Sequence, residues 1–471
     1  MMQTASTICA IATPPGSGAI SIIRISGANS LDICSPIIKF HNKKKNIREL
    51  HPNTIHYASI IDVNELIDDV LVSIFRAPYS YTCEDVIEIS CHGAFYIQQR
   101  ILESLVAHGA RLAEPGEFTL RAYLNGKMDL SQAEAVADLI ASTSAAAHRM
   151  ALNQMKGGFS EKIAKLRQQL LDFISLIELE LDFSEEDVEF ADRVKLKQLV
   201  DSIFKLINPL INSFRMGNVI RQGVPVAITG KTNVGKSTLL NALLHDDRAI
   251  VSEIAGTTRD VIEDVISIEG YSFRFIDTAG LRKTTDAIES LGIEKTFRKI
   301  EQAYIVLYVI DATVNISEID RLVGKIKNRL NKSDKKLIII FNMIDNLEDE
   351  ELSERKDLRN FRNLKSEDKI LYISALNDEN IDQLVSVLLA QVRQSRAGEH
   401  EVIVSNTRHY EAILKAREAL ERVQDGLKGA ISQEFLAIDI REVLHYLGEI
   451  TGEVTTDEIL GNIFSKFCIG K

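Results

Sequence analysis

The segment Gly230-Lys231-Thr232-Asn233-Val234-Gly235-Lys236-Ser237 follows an apolar run, Val224 to Thr229, and precedes a helical run, Thr238 to Leu244. A strand that ends in GxxxxGK[ST] and turns into a helix is a phosphate cradle. Its two glycines let the backbone wrap the anion, and the N–H groups of the helix N-terminus point at the oxygens. Lys236 then reaches the β and γ phosphates and Ser237 ligates Mg²⁺. Such a strand belongs in a sheet covered by helices, so this segment commits its part of the chain to an α/β domain.

The flanking sequence extends the pattern. Between Val224 and about Leu388, strand-like runs alternate with helical ones, which predicts a mainly parallel sheet. Asp277-Thr278-Ala279-Gly280 ends the run Phe273 to Ile276, placing a carboxylate for the Mg²⁺ shell and a glycine N–H for the γ phosphate. Gly256-Thr257-Thr258-Arg259-Asp260 lies between these motifs, where a loop would bring Thr258 to Mg²⁺. Asn342-Met343-Ile344-Asp345 follows the run Leu337 to Phe341, and Asp345 can accept two hydrogen bonds from the guanine edge, a pairing adenine cannot offer. Ser374-Ala375-Leu376, after Ile370 to Ile373, supplies a backbone N–H for the guanine oxygen. Five elements in this order, each at a strand end, indicate GTP. Two positions depart from the common pattern: Leu281 stands where many GTPases carry a water-orienting Gln, and Met343 where the guanine motif has Lys. Methionine keeps the apolar stem and loses the ammonium, so guanine selectivity is expected to survive with weaker binding.

A chain of 471 residues exceeds one ordinary core and suggests about three domains. Lys+Arg 55 against Asp+Glu 67 leaves a net charge of -12, so no global basic field holds nucleic acid, and any RNA contact is local or belongs to a partner. The apolar runs Tyr304 to Ile310 and Leu337 to Phe341 fall short of the roughly 20 residues a bilayer requires, so no membrane span is expected. No basic residue precedes Arg24 and no long apolar stretch opens the chain, which argues against a secretory signal. The cysteines Cys9, Cys34, Cys83, Cys91 and Cys468 form no CxxC pair, and a reducing, cytoplasmic setting is expected.

Prolines 14, 15, 36, 52, 78 and 115 crowd the first part of the chain, which reads as strands and loops, with Ile20 to Ile25 and Val86 to Ile89 as strands. Lys43 to Lys45 reads as a solvated loop. Ser131 followed by Glu134 reads as a capping box opening a helical stretch that Gly157 and Gly158 interrupt. The acidic cluster from Glu178 to Glu189 reads as a solvated face. After Asn406 the pattern is helical again, so the economical arrangement inserts the nucleotide-binding domain, 223–388, into a helical domain made of 128–222 and 389–471, behind an N-terminal domain, 1–127.

Ala255 to Asp260, Asn233, and Asp277 to Arg282 followed by Ile288-Glu289 and Gly292-Ile293-Glu294 resemble the MnmE (TrmE) family of tRNA modification GTPases. The similarity includes Ala12 to Gly16, Arg24 to Gly27, Tyr81-Thr82, Glu84 to Val86, His92-Gly93, Pro115 to Phe118, Asn125 to Lys127 and the closing Phe467-Cys468-Ile469-Gly470-Lys471. The resemblance implies a multidomain α+β and α/β fold: a tetrahydrofolate-binding and dimerising N-terminal α/β domain, a helical domain, and an inserted P-loop GTPase domain. It implies 5-formyl-tetrahydrofolate or a relative at Arg24, Glu88, Lys127 and Lys471, and K⁺ at Asn233, Ser252, Ile254 and Thr257 in place of an arginine finger. Glu253 and Ala255 join the nucleotide set with Val234, Thr238 and Gly256, and Glu289 becomes the water-orienting acid that answers Leu281.

The implied activity is K⁺-dependent GTP hydrolysis by a homodimer that joins the flavoprotein MnmG in a heterotetramer. Together they would place a carboxymethylaminomethyl-type group on carbon 5 of the wobble uridine of certain tRNAs. Cys468, near Lys466 and Lys471 in sequence, is either a nucleophile with a lowered pKa or an unreactive side chain, and with no visible base an indirect role is favoured. Two rivals stay open: a ribosome-assembly GTPase switch of the Era or Der kind, and a folate-dependent one-carbon transferase with an accessory GTPase domain.

Overall fold

The computed structural model describes residues 6–42, 45–182, 193–245, 249–251, 264–276, 300–330, 335–393, 404–428, 433–465 and 467–470. The chain divides into two compact units: Met1–Ala137 with Gln154–Phe204 and Ala412–Lys471, and Asp138–Asn153 with Lys205–Glu411.

The first unit contains a seven-stranded sheet of β1 (Ile8–Ile11), β2 (Gly18–Ser26), β3 (Ile38–Phe40), β4 (Thr54–Asp62), β5 (Glu65–Phe75), β6 (Val86–Gly93) and β7 (Arg111–Leu112), in the order β3-β4-β5-β6-β2-β1-β7. Its pairings are antiparallel apart from β1 with β7. Alternation explains the sheet: Val70, Val72 and Ile74 of β5, Ile87 and Ile89 of β6, and Ile23 and Ile25 of β2 are buried in one core with Ile101 and Leu105 of the helix Phe95–Ala107. The residues between them fall on the opposite face, where Arg24 stands directly across from Glu88.

The helical part of this unit pairs Gly158–Asp182 with Gln433–Thr451; Arg167 donates to the Leu444 carbonyl and Arg441 pairs with Glu178, one member of the acidic cluster. The helix Leu130–Ala141 begins two residues earlier than the Ser131 capping box predicts. The box is instead Asp129 with Gln132: Gln132 N–H donates to Asp129 Oδ1 and Asp129 N–H to Gln132 Oε1, each at 2.9 Å. Ser131 lies inside the first turn, fully buried, with its hydroxyl 3.0 Å from that of Ser160. Burial of Leu130 pulls the helix start back and lets a second polar pair, two residues upstream, do the capping. As expected, the helices break at Gly157, whose φ is +79°.

The second unit is built on β8 (Val224–Thr229), β9 (Ala249–Val251), β10 (Asp264–Ile268), β11 (Tyr271–Phe275), β12 (Ile305–Asp311), β13 (Lys336–Asn342) and β14 (Lys369–Tyr372). The order is β14-β13-β12-β8-β11-β10-β9, parallel from β14 to β11 and antiparallel beyond. Both faces are covered, which is why β13 reads as the continuous apolar run Leu337 to Phe341 rather than alternating. Ile338 and Ile340 enter the core shared with Leu384 and Leu388, while Ile339 and Phe341 enter the one shared with Ile319 and Val323. β8, β13 and β14 all point their carboxyl ends the same way, and ligands of open parallel sheets bind beyond those ends.

Candidate functional site

β8 ends at Thr229 and the chain turns through Gly230 into the helix Lys236–His245. Gly230 has φ +152°, and a Cβ there would lie 2.2 Å from the Val309 carbonyl oxygen. Gly235 has φ +86°, and a Cβ would lie 2.2 Å from Asn342 Nδ2. Both positions therefore require glycine. Asn233 takes φ +61°, a left-handed conformation that asparagine tolerates. Left-handed residues beside a helix N-terminus are the backbone of an anion cradle, so the turn fits a triphosphate. Lys236 Nζ donates to the Gly230 carbonyl at 3.0 Å and to that of Lys231, which places its ammonium on the loop itself. Lys231 in turn bonds Glu318, and that hydrogen bond holds the Glu318 carboxyl below its ordinary range. Val234 is buried, while Ser237 and Thr238 are the second and third residues of the helix.

The guanine side is tied to this cradle by one side chain. Asn342, 2% exposed at the end of β13, donates from Nδ2 to the Val234 carbonyl at 3.0 Å and accepts the Ala375 N–H at 2.9 Å through Oδ1. Met343 follows in the left-handed region, φ +67°, and its terminal methyl reaches toward Gly235. Ile344 is buried and its N–H donates to the Ile373 carbonyl, leaving Asp345 exposed in the short helix Ile344–Asn346. Ser374 is fully buried and exchanges backbone hydrogen bonds with Glu379, whereas Leu376 is exposed. Residues Asn233 to Thr238, Asn342 to Asp345 and Ser374 to Leu376 thus come to one end of the sheet. Ser252, Glu253, Ile254, Ala255, Gly256, Thr257, Thr258, Asp277, Thr278, Ala279, Gly280, Leu281 and Glu289 lie outside the described residues.

In the first unit Arg24 Nε and Nη2 stand 2.8 and 2.7 Å from Glu88 Oε1, and Nη1 donates to the Gly470 carbonyl at 3.4 Å. The rings of Tyr81 and Phe118 each lie 5.6 Å from the guanidinium carbon, a cation between two aromatic partners. Burial raises the Tyr81 pKa, and its hydroxyl lies 2.9 Å from that of Thr119. Lys127 is exposed just past the helix Glu117–Leu124, and its N–H donates to the Ala122 carbonyl; Lys471 lies outside the described residues. Cys468 is exposed, while burial pushes the thiols of Cys9 and Cys91 up to about 11. All five cysteines are free. Among the described residues no group of His, Cys, Asp and Glu suits a metal, and no helix is long and apolar enough to cross a membrane.

One buried ionic network was not read from the sequence. Arg121, 2% exposed, reaches both oxygens of Glu84 at 3.1 Å, Glu117 at 2.9 Å and the Ser6 carbonyl at 2.7 Å. Burial opposes ionisation of Glu117, but hydrogen bonds from Arg111, the Glu114 N–H and Arg121 outweigh it and hold its pKa below the ordinary value. The i,i+4 spacing of Glu117 and Arg121 was one signal, and Glu84 and Glu117 both lie in segments that carry the family resemblance.

A family model described as the GTP-binding protein TrmE N-terminus matches residues 7–127, and one described as the MnmE helical domain matches residues 130–468. The tRNA modification GTPase MnmE of Christiangramia forsetii is 52% identical over 477 residues and covers 100% of both chains. That of Bacteroides thetaiotaomicron is 54% identical over 468 residues, 99% of each. The chain belongs to the MnmE family. The helical-domain match of MnmE runs through the nucleotide cradle, and the N-terminal match contains Arg24, Glu88 and Lys127. Among solved structures, Era with MgGDPNP and nucleotides 1506–1542 of 16S ribosomal RNA is 29% identical, covering 41% of this chain and 65% of that one, with a TM-score of 0.25.

Proposed function

We propose that this chain hydrolyses GTP and that the hydrolysis drives modification of tRNA, in which a carboxymethylaminomethyl-type group is added to carbon 5 of a wobble uridine. In this reading it acts in the cytoplasm as a homodimer, joined by the flavoprotein MnmG in a heterotetramer. The observation that supports a guanine-nucleotide site is the Asn342 bridge, which ties the loop Asn342 to Asp345 to a cradle with glycine at its two bends, and the names of the full-length relatives support hydrolysis. The names of the full-length relatives support tRNA as the substrate.

Hydrolysis adds water to the γ phosphorus and breaks its bond to the β–γ bridging oxygen, releasing GDP and phosphate. Lys236 would meet the β and γ charges, and Asp345 would select guanine. Ser237 and Thr258 would hold Mg²⁺, and Asn233, Ser252, Ile254 and Thr257 would hold K⁺; both ions would supply positive charge against the phosphates. Asp277 and Gly280 complete the phosphate end, and Glu289 orients the water that Leu281 cannot. Arg24, Glu88, Lys127 and Lys471 would bind a tetrahydrofolate such as the 5-formyl form, with Cys468 contributing indirectly to the modification. The division 1–127, 128–222, 223–388 and 389–471 belongs to the same reading.

The deciding experiment is nucleoside analysis of wobble uridines in cells lacking this protein. Loss of the modification, restored by the wild-type chain and not by Lys236→Ala, is expected. A full complement of modified uridine in the deletion strain would overturn the assignment.

A further inference from the structure

The C-terminal tail is pinned by the unit that carries Arg24. Phe467 is buried with Leu120, Leu130, Leu460 and Phe464. The Cys468 carbonyl accepts the Gly116 N–H at 3.4 Å, and two residues later the Gly470 carbonyl accepts Arg24 Nη1 at 3.4 Å. Both glycines have positive φ, +69° at Gly116 and +95° at Gly470, and neither has room for a side chain. A Cβ on Gly116 would lie 2.8 Å from the Phe464 carbonyl oxygen and 2.9 Å from Phe467 Cβ; one on Gly470 would lie 2.2 Å from the Ile11 carbonyl oxygen. Gly109 is the contrast: φ is +107°, yet a Cβ there would meet nothing within 4 Å.

The turn that presents Gly116 is held by its own hydrogen bonds and ion pairs. Glu117 accepts the Glu114 N–H at 2.9 Å and is held by Arg111 and by the buried Arg121, while the Leu120 N–H donates to the Gly116 carbonyl at 2.9 Å. What this turn offers outward is one N–H and the absence of a side chain. At the other end of the tail, Glu88 occupies Nε and Nη2 of Arg24 through a single oxygen, and the Gly470 carbonyl takes Nη1. Among the described residues three of the five N–H donors of this guanidinium are thus engaged, and these bonds set the plane of the group.

We propose that Gly116 and Gly470 are positioning residues for the Arg24–Glu88 site: they clamp the tail so that the Gly470 carbonyl orients Arg24, and binding of a folate at Arg24 and docking of the tail favour each other. The proposal rests on the reading of Arg24 and Glu88 as folate contacts. Coupling of this kind is reciprocal, so the factor by which the docked tail tightens the ligand equals the factor by which the ligand stabilises the docked tail.

The test uses the full chain, with amide hydrogen exchange of the C-terminal peptide and calorimetry with 5-formyl-tetrahydrofolate. In the wild type the ligand should slow exchange of the tail. Gly116→Ala should speed that exchange about tenfold and weaken the folate about tenfold, within the usual range of coupling between sites. Gly116→Asn, which tolerates the left-handed backbone but carries a Cβ, should match Gly116→Ala, whereas Gly109→Ala should leave both readouts at the wild-type level. Recovery by Gly116→Asn, unchanged tail exchange in Gly116→Ala, or a freed tail with unaltered folate affinity would each overturn the clamp. If the wild type binds no 5-formyl-tetrahydrofolate while Gly116→Ala still frees the tail, the folate reading fails and the clamp stands without a ligand. Should Gly116→Ala not fold, Gly470→Ala, whose Cβ would meet the Ile11 carbonyl at the other end of the clamp, gives the same two readouts.

Discussion

Asp345 stands exposed beside a buried neighbour, Ile344, so its carboxylate is presented while its backbone is fixed. Asp345→Asn should therefore shift preference from guanine to xanthine nucleotides with the cradle intact, at a cost to GTP binding of about 1 to 3 kcal/mol. Competition between GTP and XTP checks it, and unchanged preference would remove Asp345 from the base. Met343 shares this turn, and its methyl approaches the Gly235 bend where an ammonium would otherwise sit. Met343→Lys should tighten GTP by about 1 kcal/mol, the worth of one net hydrogen bond. Equal affinity would show that the apolar contact already compensates.

At the scale of single elements, the helix Leu130–Ala141 depends on a cap that the reading of Ser131 misplaced. Asp129→Ala should cost about 1 kcal/mol in urea unfolding, the usual worth of an N-cap side chain. The helix Glu117–Leu124 depends on charge instead. The Glu117 pKa is lower in the folded chain than its ordinary value of 4.5, so its stabilisation is complete above that value and disappears as the pH falls through the folded pKa. Thermal unfolding against pH should show this acid limb. Glu117→Gln should flatten it and cost about 3 to 5 kcal/mol at neutral pH, because Arg111 and Arg121 lose a buried partner. An acid limb of wild-type slope in that variant would assign the pH dependence elsewhere.

For the whole molecule, the proposed ion requirement joins Asn233 in the cradle to three residues further along the chain. Turnover of GTP should be much faster in K⁺ than in Na⁺ at matched ionic strength, and Asn233→Ala should abolish the difference. Equal turnover of the wild type in the two salts would remove K⁺ from the mechanism. The cradle itself was legible because its signal is local: the glycine bends, the preceding β8 run and the following helix lie within about twenty consecutive residues, and positive φ favours glycine at the bends, whereas the Val309 carbonyl and Asn342 amide that leave those glycines no room come from distant strands. The strands Val86 to Ile89 and Ile20 to Ile25 were legible from their β-branched runs, but which face they bury was not: in Ile20 to Ile25 the exposed Ile20 and half-buried Ile22 alternate with the buried Ser21, Ile23 and Ile25.

By itself, then, the sequence determined the strand-turn-helix cradle, the mainly parallel sheet around it and the strand-rich first part, because backbone chemistry and periodicity act between near neighbours. Tertiary structure decided which distant groups meet. Asn342 reaches Val234 across 108 positions, Arg24 reaches Glu88 across 64 and Gly470 across 446. It also decided which of two overlapping polar pairs caps the helix at Leu130, since burial of that residue set the helix start. Periodicity states which face of an element is apolar, but the partner that covers the face, the register in which strands pair and the glycines that a neighbour's backbone demands are set only when the elements pack.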